Sequence, residues 1–180
     1  MGDSNIHYYS YPRTEAPPEF AEDIARVFRK HESTIGTEDL DDGLKSNEVL
    51  KEVRDDLMEI GFEVESRKGR EEIIERPVLF GEDGEPELQY EVDGYHPQWR
   101  CGLEVEAGRA WKGNAIYRDL IQALVMVQVD TLVLAVPNVY KYGSNNQINN
   151  RAFDKTKSVL DTLYSTHRFE APYDLILIGY

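Results

Sequence analysis

Asp93-Gly94-Tyr95-His96-Pro97-Gln98-Trp99-Arg100-Cys101-Gly102-Leu103-Glu104-Val105-Glu106-Ala107-Gly108-Arg109 joins two strand-like segments across a turn. Residues 100–107 alternate apolar and polar, and successive side chains on a strand point to opposite faces. Cys101, Leu103, Val105 and Ala107 are therefore expected to face the core, with Glu104 and Glu106 on the other side. The preceding segment, 87–93, divides the same way: Leu88, Tyr90 and Val92 against Gln89, Glu91 and Asp93. Gly94 and Pro97 supply turn chemistry, and antiparallel pairing of the two segments is expected to bring Asp93 to the glutamates. Converging carboxylates repel one another unless a cation lies among them. Mg²⁺ takes oxygen ligands and keeps several waters. It can polarise a phosphodiester and lower the pKa of an attacking water.

Upstream, residues 1–17 carry Pro12, Pro17 and Pro18 and read as an irregular arm; residues 18–180 read as one domain. Phe20, Ile24, Val27 and Phe28 recur at helical spacing over 19–31. The acidic stretch 34–42 is expected to be a loop. Ser46 is expected to cap a helix reaching Ile60 through Val49, Leu50, Val53 and Leu57, with Gly61 as its stop. Residues 62–65 begin as a short strand, and 71–80 read as another, with Pro77 marking an edge or a bulge.

Downstream, a helix is expected over 115–128, a buried strand over 132–136 ended by Pro137, and a polar loop over 138–146. A helix over 147–164 and a last buried strand over 175–178 follow. This order is that of an α/β sandwich around a mixed sheet.

Composition narrows the function. The 180 residues carry 34 Asp and Glu against 20 Lys and Arg, a formal net charge of −14. The isoelectric point is about 4.7. That argues against a generic polyanion binder, since phosphate contact needs local basic residues, and it does not exclude a nuclease. A local basic cleft remains compatible with it. The single cysteine, Cys101, excludes a disulfide framework and a cysteine-built zinc site. No apolar run spans a bilayer, and the first ten residues lack a signal-peptide core. A cytoplasmic protein with no membrane association is expected.

Asp93 followed by Glu104-Val105-Glu106 resembles the PD-(D/E)XK nuclease signature, with Glu106 in place of the usual final lysine. That replacement is similar to the BamHI/BglII-type branch of type II restriction endonucleases. Leu103-Glu104-Val105-Glu106-Ala107-Gly108-Arg109 looks like that branch's strand and Gly-basic step. Ala115-Ile116-Tyr117-Arg118-Asp119-Leu120 resembles its next helix, and Pro172-Tyr173-Asp174-Leu175-Ile176-Leu177-Ile178-Gly179 its closing strand. The helix ending Ile60-Gly61-Phe62 is similar to its N-terminal part. The likeness covers residues 46–180 in patches.

The resemblance implies a restriction-endonuclease-like α/β/α sandwich and a Mg²⁺-dependent DNA endonuclease, with Mn²⁺ able to substitute. It implies Asp93, Glu104 and the Val105 carbonyl as metal ligands. Glu106 would position or deprotonate water. A helix glutamate would join the catalytic set, Glu52 or its neighbour Glu48. Arg109, Lys112 and Asn114 would lie on the substrate side. Double-strand cleavage implies a homodimer. The chain is shorter than is general for such enzymes, which points to loose sequence specificity or to base reading by residues 138–150.

Plainer readings stand beside these. Glu48 and Glu52 suit a solvated helix flank. Arg109, Lys112 and Arg118 could pair with nearby acids, and 67–70 suits a basic turn. Asn145, Asn146, Gln147, Asn149 and Asn150 suit a helix start better than adenine contact. His96 is the one histidine placed to assist. Trp99 and Trp111 suit packing. The alternative function is a non-catalytic nuclease-like binding or regulatory subunit, with a second subunit supplying DNA affinity. A glycosidase built on paired carboxylates is a third.

Overall fold

The apolar runs around Leu134 and Leu177 lie side by side as parallel strands at the centre of the fold. A computed structural model describes residues 4–38, 43–66, 73–107, 114–142, 148–168 and 170–180. In chain order the elements are β1 (His7–Tyr11), α1 (Phe20–Lys30), α2 (Glu32–Ile35), α3 (Ser46–Glu59), β2 (Glu63–Val64), β3 (Ile74–Phe80), β4 (Pro86–Val92) and β5 (Gly94–His96). There follow β6 (Cys101–Val105), α4 (Ala115–Val125), β7 (Thr131–Val136), β8 (Tyr140–Tyr142), β9 (Ile148–Asn150), α5 (Ala152–Ser165) and β10 (Asp174–Gly179).

Among the described residues the central sheet has six strands in the order β1-β10-β7-β6-β5-β2. β6, β7 and β10 run parallel, while β1, β5 and β2 pair antiparallel. The sheet is therefore mixed, as expected. Strands covered on both faces read as continuous apolar runs, and every residue of β7 is buried.

The two-residue period of these strands sorts the core into layers. Leu103, Val105, Val133, Ala135, Ile176 and Ile178 pack under α1 and α3. Leu132, Leu134, Val136, Leu175 and Leu177 pack under α4 and α5. Each Leu or Ile fully buried this way contributes about 1.5–3 kcal/mol. Glu104 is in register with Leu134, so it lies on the α4 side of the sheet. None of the helices among the described residues is long and apolar enough to cross a membrane.

Several expectations are corrected. Residues 7–11 are not an irregular arm: they form an edge strand on β10, with Ile6 and Tyr11 buried. The alternation of Tyr9 and Tyr11 with Tyr8 and Ser10 is a strand pattern that the neighbouring prolines obscure. The segment 87–93 does not pair with β6. β4 pairs β3 in a separate ribbon with register shifts just after Pro77, where the missing N–H makes a ladder bond unavailable. The short β5 pairs β6 instead, Gly94 opposite Leu103 and His96 opposite Cys101. Ile35 and Thr37 are buried within the stretch expected to be a polar loop. Lys45 rather than Ser46 precedes the first turn of α3. Residues 148–150 pair with 140–142 as a hairpin, so Asn149 and Asn150 do not begin a helix. Residues 67–70 and 145–147 lie outside the described residues.

Candidate functional site

β5 begins at Gly94, opposite Leu103. Val105 therefore projects its N–H beyond the last β5 residue available to pair with it, and a buried donor must find an acceptor. It finds the Asp93 side chain: Val105 N–H donates to Asp93 Oδ2 at 2.8 Å. The bend between β4 and β5 holds Asp93 there, because its own carbonyl accepts the N–H of Glu65 at 3.0 Å. The expected meeting of Asp93 with the Glu104 strand thus occurs through a side chain standing in for a ladder partner.

Glu104 and Glu106 are each 8% exposed. Asp93, Glu104, Val105, Glu106 and Arg118 line a cleft of about 510 Å³, closed on one side by Lys45, Ser46 and Asn47 at the start of α3. A second cavity of about 370 Å³ shares Asp93, Glu104 and Arg118 and continues to the acids Glu65, Glu75 and Glu91. Tyr180 O–H donates to the Glu106 carbonyl at 2.6 Å and fixes the end of the strand.

The electrostatics follow from burial. The Glu104 carboxyl is held well above the usual carboxylate range by burial, then by the charges of Asp93, Asp119 and Glu106, with Arg118 opposing. Glu106 is pushed up to about 8, first by burial and then by Asp119. Asp119 is raised by burial against the pull of Arg118. Among the described residues, Arg118 is the cation that opposes the raised carboxyls of Glu104, Glu106 and Asp119, an arrangement that favours protons or an added cation.

Asp119 was not among the expected site residues, although its sequence position carries a signal. Ile116, Asp119, Leu120 and Ala123 form the buried side of α4, and a charge on an apolar helix face needs a partner. Glu65, 5% exposed, carries no such periodic signal because it follows a two-residue strand.

Other expected residues fall elsewhere. Glu52 is exposed on α3 and lines neither cavity, so it is not brought to the cleft. Glu48 Oε2 accepts the Lys45 N–H at 2.8 Å and caps its own helix. Asn114 is exposed at the start of α4 in a left-handed conformation (φ 56°), next to Ala115 at the cleft edge. Asparagine tolerates that conformation better than most residues. Arg109, Trp111 and Lys112 lie outside the described residues.

His96 is occupied structurally. Its ring accepts the Trp99 N–H at 3.2 Å, lies 3.0 Å from the Ile60 carbonyl and stacks on Trp99 at 3.6 Å. Trp99 also stacks on Phe20, so it packs rather than offering a sugar platform.

Among the described residues, no three His, Cys, Asp or Glu side chains are arranged to hold a metal ion as they stand. The chemistry of the donors nevertheless fits a hard cation. Asp93, Glu104 and the Val105 carbonyl offer oxygen alone, and the excess negative charge is what such an ion would balance. Compared with protein-family models, curated proteins and solved structures, the chain matches none.

Proposed function

We propose that this chain is a Mg²⁺-dependent DNA endonuclease with a restriction-endonuclease-like fold, hydrolysing phosphodiester bonds. The observation that carries the reading is the Asp93 carboxylate held on the Val105 N–H, beside two buried glutamates of the same strand end. Asp93, Glu104 and the Val105 carbonyl would hold the ion, with Mn²⁺ able to replace Mg²⁺. When bound, the ion supplies Lewis acidity and a more acidic water.

The chain's own residues do the rest. A carboxylate with a proton affinity near neutrality suits a general base, and Glu106 is pushed up to about 8. It would orient the attacking water and take its proton. Arg118, lining the cleft, would meet negative charge developing on the phosphate. Arg109, Lys112 and Asn114 would extend that contact along the backbone of DNA. The β8–β9 hairpin stands at the cleft through Tyr140, a position from which it could touch bases or sugars.

A homodimer would supply two active sites for two strands. Ile121, Val125 and Val127 are 61%, 44% and 53% exposed on and just after α4. The charged residues of α4, Arg118 and Asp119, pair with each other. Copies each carrying −14 meet most readily through such an uncharged face.

The experiment is supercoiled plasmid nicking with Mg²⁺, wild type against Glu104→Ala. Nicking by the wild type alone supports the reading; equal activity in both removes it. The acidity of the chain and the lack of a ready-made three-acid metal cluster among the described residues favour a second reading. In it the chain is a non-catalytic nuclease-like subunit, with a second subunit supplying DNA affinity. Mn²⁺ titration by calorimetry would then give no heat.

A further inference from the structure

Asp119 sits on the buried side of α4 with no side-chain exposure. Its Oδ1 accepts Arg118 Nε at 2.9 Å and lies 2.8 Å from Arg118 Nη2. Its Oδ2 meets no N–H or hydroxyl donor among the described residues, and the neighbouring Glu106 carboxyl can donate to Asp119 only while protonated. A buried carboxylate oxygen in that state is costly, so its surroundings favour a proton on Glu106 or positive charge beyond the Arg118 guanidinium. The same Nη2 reaches Glu106 Oε1 at 3.3 Å, longer than a strong charge-assisted bond. Arg118 thus bridges a buried acid and a cleft acid, and its side chain is 60% exposed. It also lines both cavities. A side chain anchored at one buried acid and open to water elsewhere can reorient without disturbing its helix.

We propose that Arg118 is a displaceable counter-cation of the carboxylate cluster. It balances Glu106 and its neighbours in the metal-free protein and yields Glu106 to an arriving divalent ion. The guanidinium, still tethered by Asp119, then takes a phosphate oxygen of the DNA. This inference rests on the metal-dependent reading above. Arg118 therefore opposes metal binding while favouring substrate binding, two effects of opposite sign that a purely structural residue would not produce.

The test is calorimetric titration of Mn²⁺ into wild type, Arg118→Met, Arg118→Gln and Arg118→Lys, each verified as folded by circular dichroism. The Met and Gln variants are expected to bind Mn²⁺ more tightly, on the order of tenfold for loss of one nearby partly solvated charge. Lys is expected to restore wild-type affinity. Binding of a fluorescent DNA duplex at saturating Mn²⁺ should weaken in Met and Gln. Equal or weaker Mn²⁺ binding by those variants, or unchanged duplex binding, would overturn the proposal while leaving the metal-dependent reading intact. No heat from any of the four proteins would remove both.

Discussion

The Asp93 side chain takes the place of a strand partner for Val105, accepting its N–H at 2.8 Å. One contact thus completes the sheet edge and holds a carboxylate over the cleft.

The two roles separate by substitution. Asp93→Asn retains a side-chain oxygen to accept the Val105 N–H and removes one of the repelling charges. Its melting temperature is expected to equal or exceed that of wild type, while metal-dependent cleavage is lost. Asp93→Ala leaves a buried N–H without an acceptor and is expected to cost about 1–3 kcal/mol. Thermal melts beside nicking assays distinguish the two; loss of stability in both variants would show that the negative charge itself holds the site together.

The carboxylate cluster makes a pH signature. Glu106 rises from 4.5 to about 8 on folding, so between those values the folded state holds more protons than the unfolded chain. Stability then falls with rising pH across that window. The contribution is fully present below about 4.5 and is lost as pH passes about 8. Metal-free wild type is expected to melt lower at pH 8 than at pH 6, and Glu106→Gln to show a shallower decline. Each 1 kcal/mol moves the midpoint by about 2–4 °C for a chain of this size. Mg²⁺ should stabilise more at pH 8 than at pH 6. A flat profile in wild type would contradict the electrostatic description.

Much of this arrangement could be read from the residues. The runs at 132–136 and 175–178 became β7 and β10 because an unbroken apolar stretch suits a strand covered on both faces. The stripe at Val49, Leu50, Val53 and Leu57 became the buried side of α3. The pairing of β6 was not legible, because alternation in 87–93 fits a half-exposed ribbon as well as a central strand. Only the turn-bound β5, fixed by His96 on Trp99, decides between them. Asp119 was legible in principle as a charge on an apolar helix face. The structure does not bring Glu52 to the cleft, since period alone does not say which exposed flank of a helix meets a cleft formed by distant strands.

Gly61 tests the β5 framework independently of chemistry. Its φ is +105°, and an added Cβ would stand 2.6 Å from His96 Nε2. Gly61→Ala combines backbone strain with displacement of a stacked ring. It is expected to destabilise by about 1–3 kcal/mol, measured by urea denaturation at constant m-value. A neutral result would show that the turn relaxes freely.

The uncharged face of α4 bears on assembly. Ile121→Lys places a charge where two copies are proposed to meet, without touching the cleft. Sedimentation velocity is expected to show a dimer for wild type and a monomer for the variant. A wild-type monomer, or a dimer unaffected by the lysine, would exclude this face.

The most direct measurement is the anomalous difference map of a crystal soaked in Mn²⁺. One peak is expected within bonding distance of both the Asp93 and Glu104 carboxylates, with the Arg118 guanidinium turned away from Glu106. A map without a peak there, with Arg118 still on Glu106, would contradict a shared cation and the nuclease reading built on it.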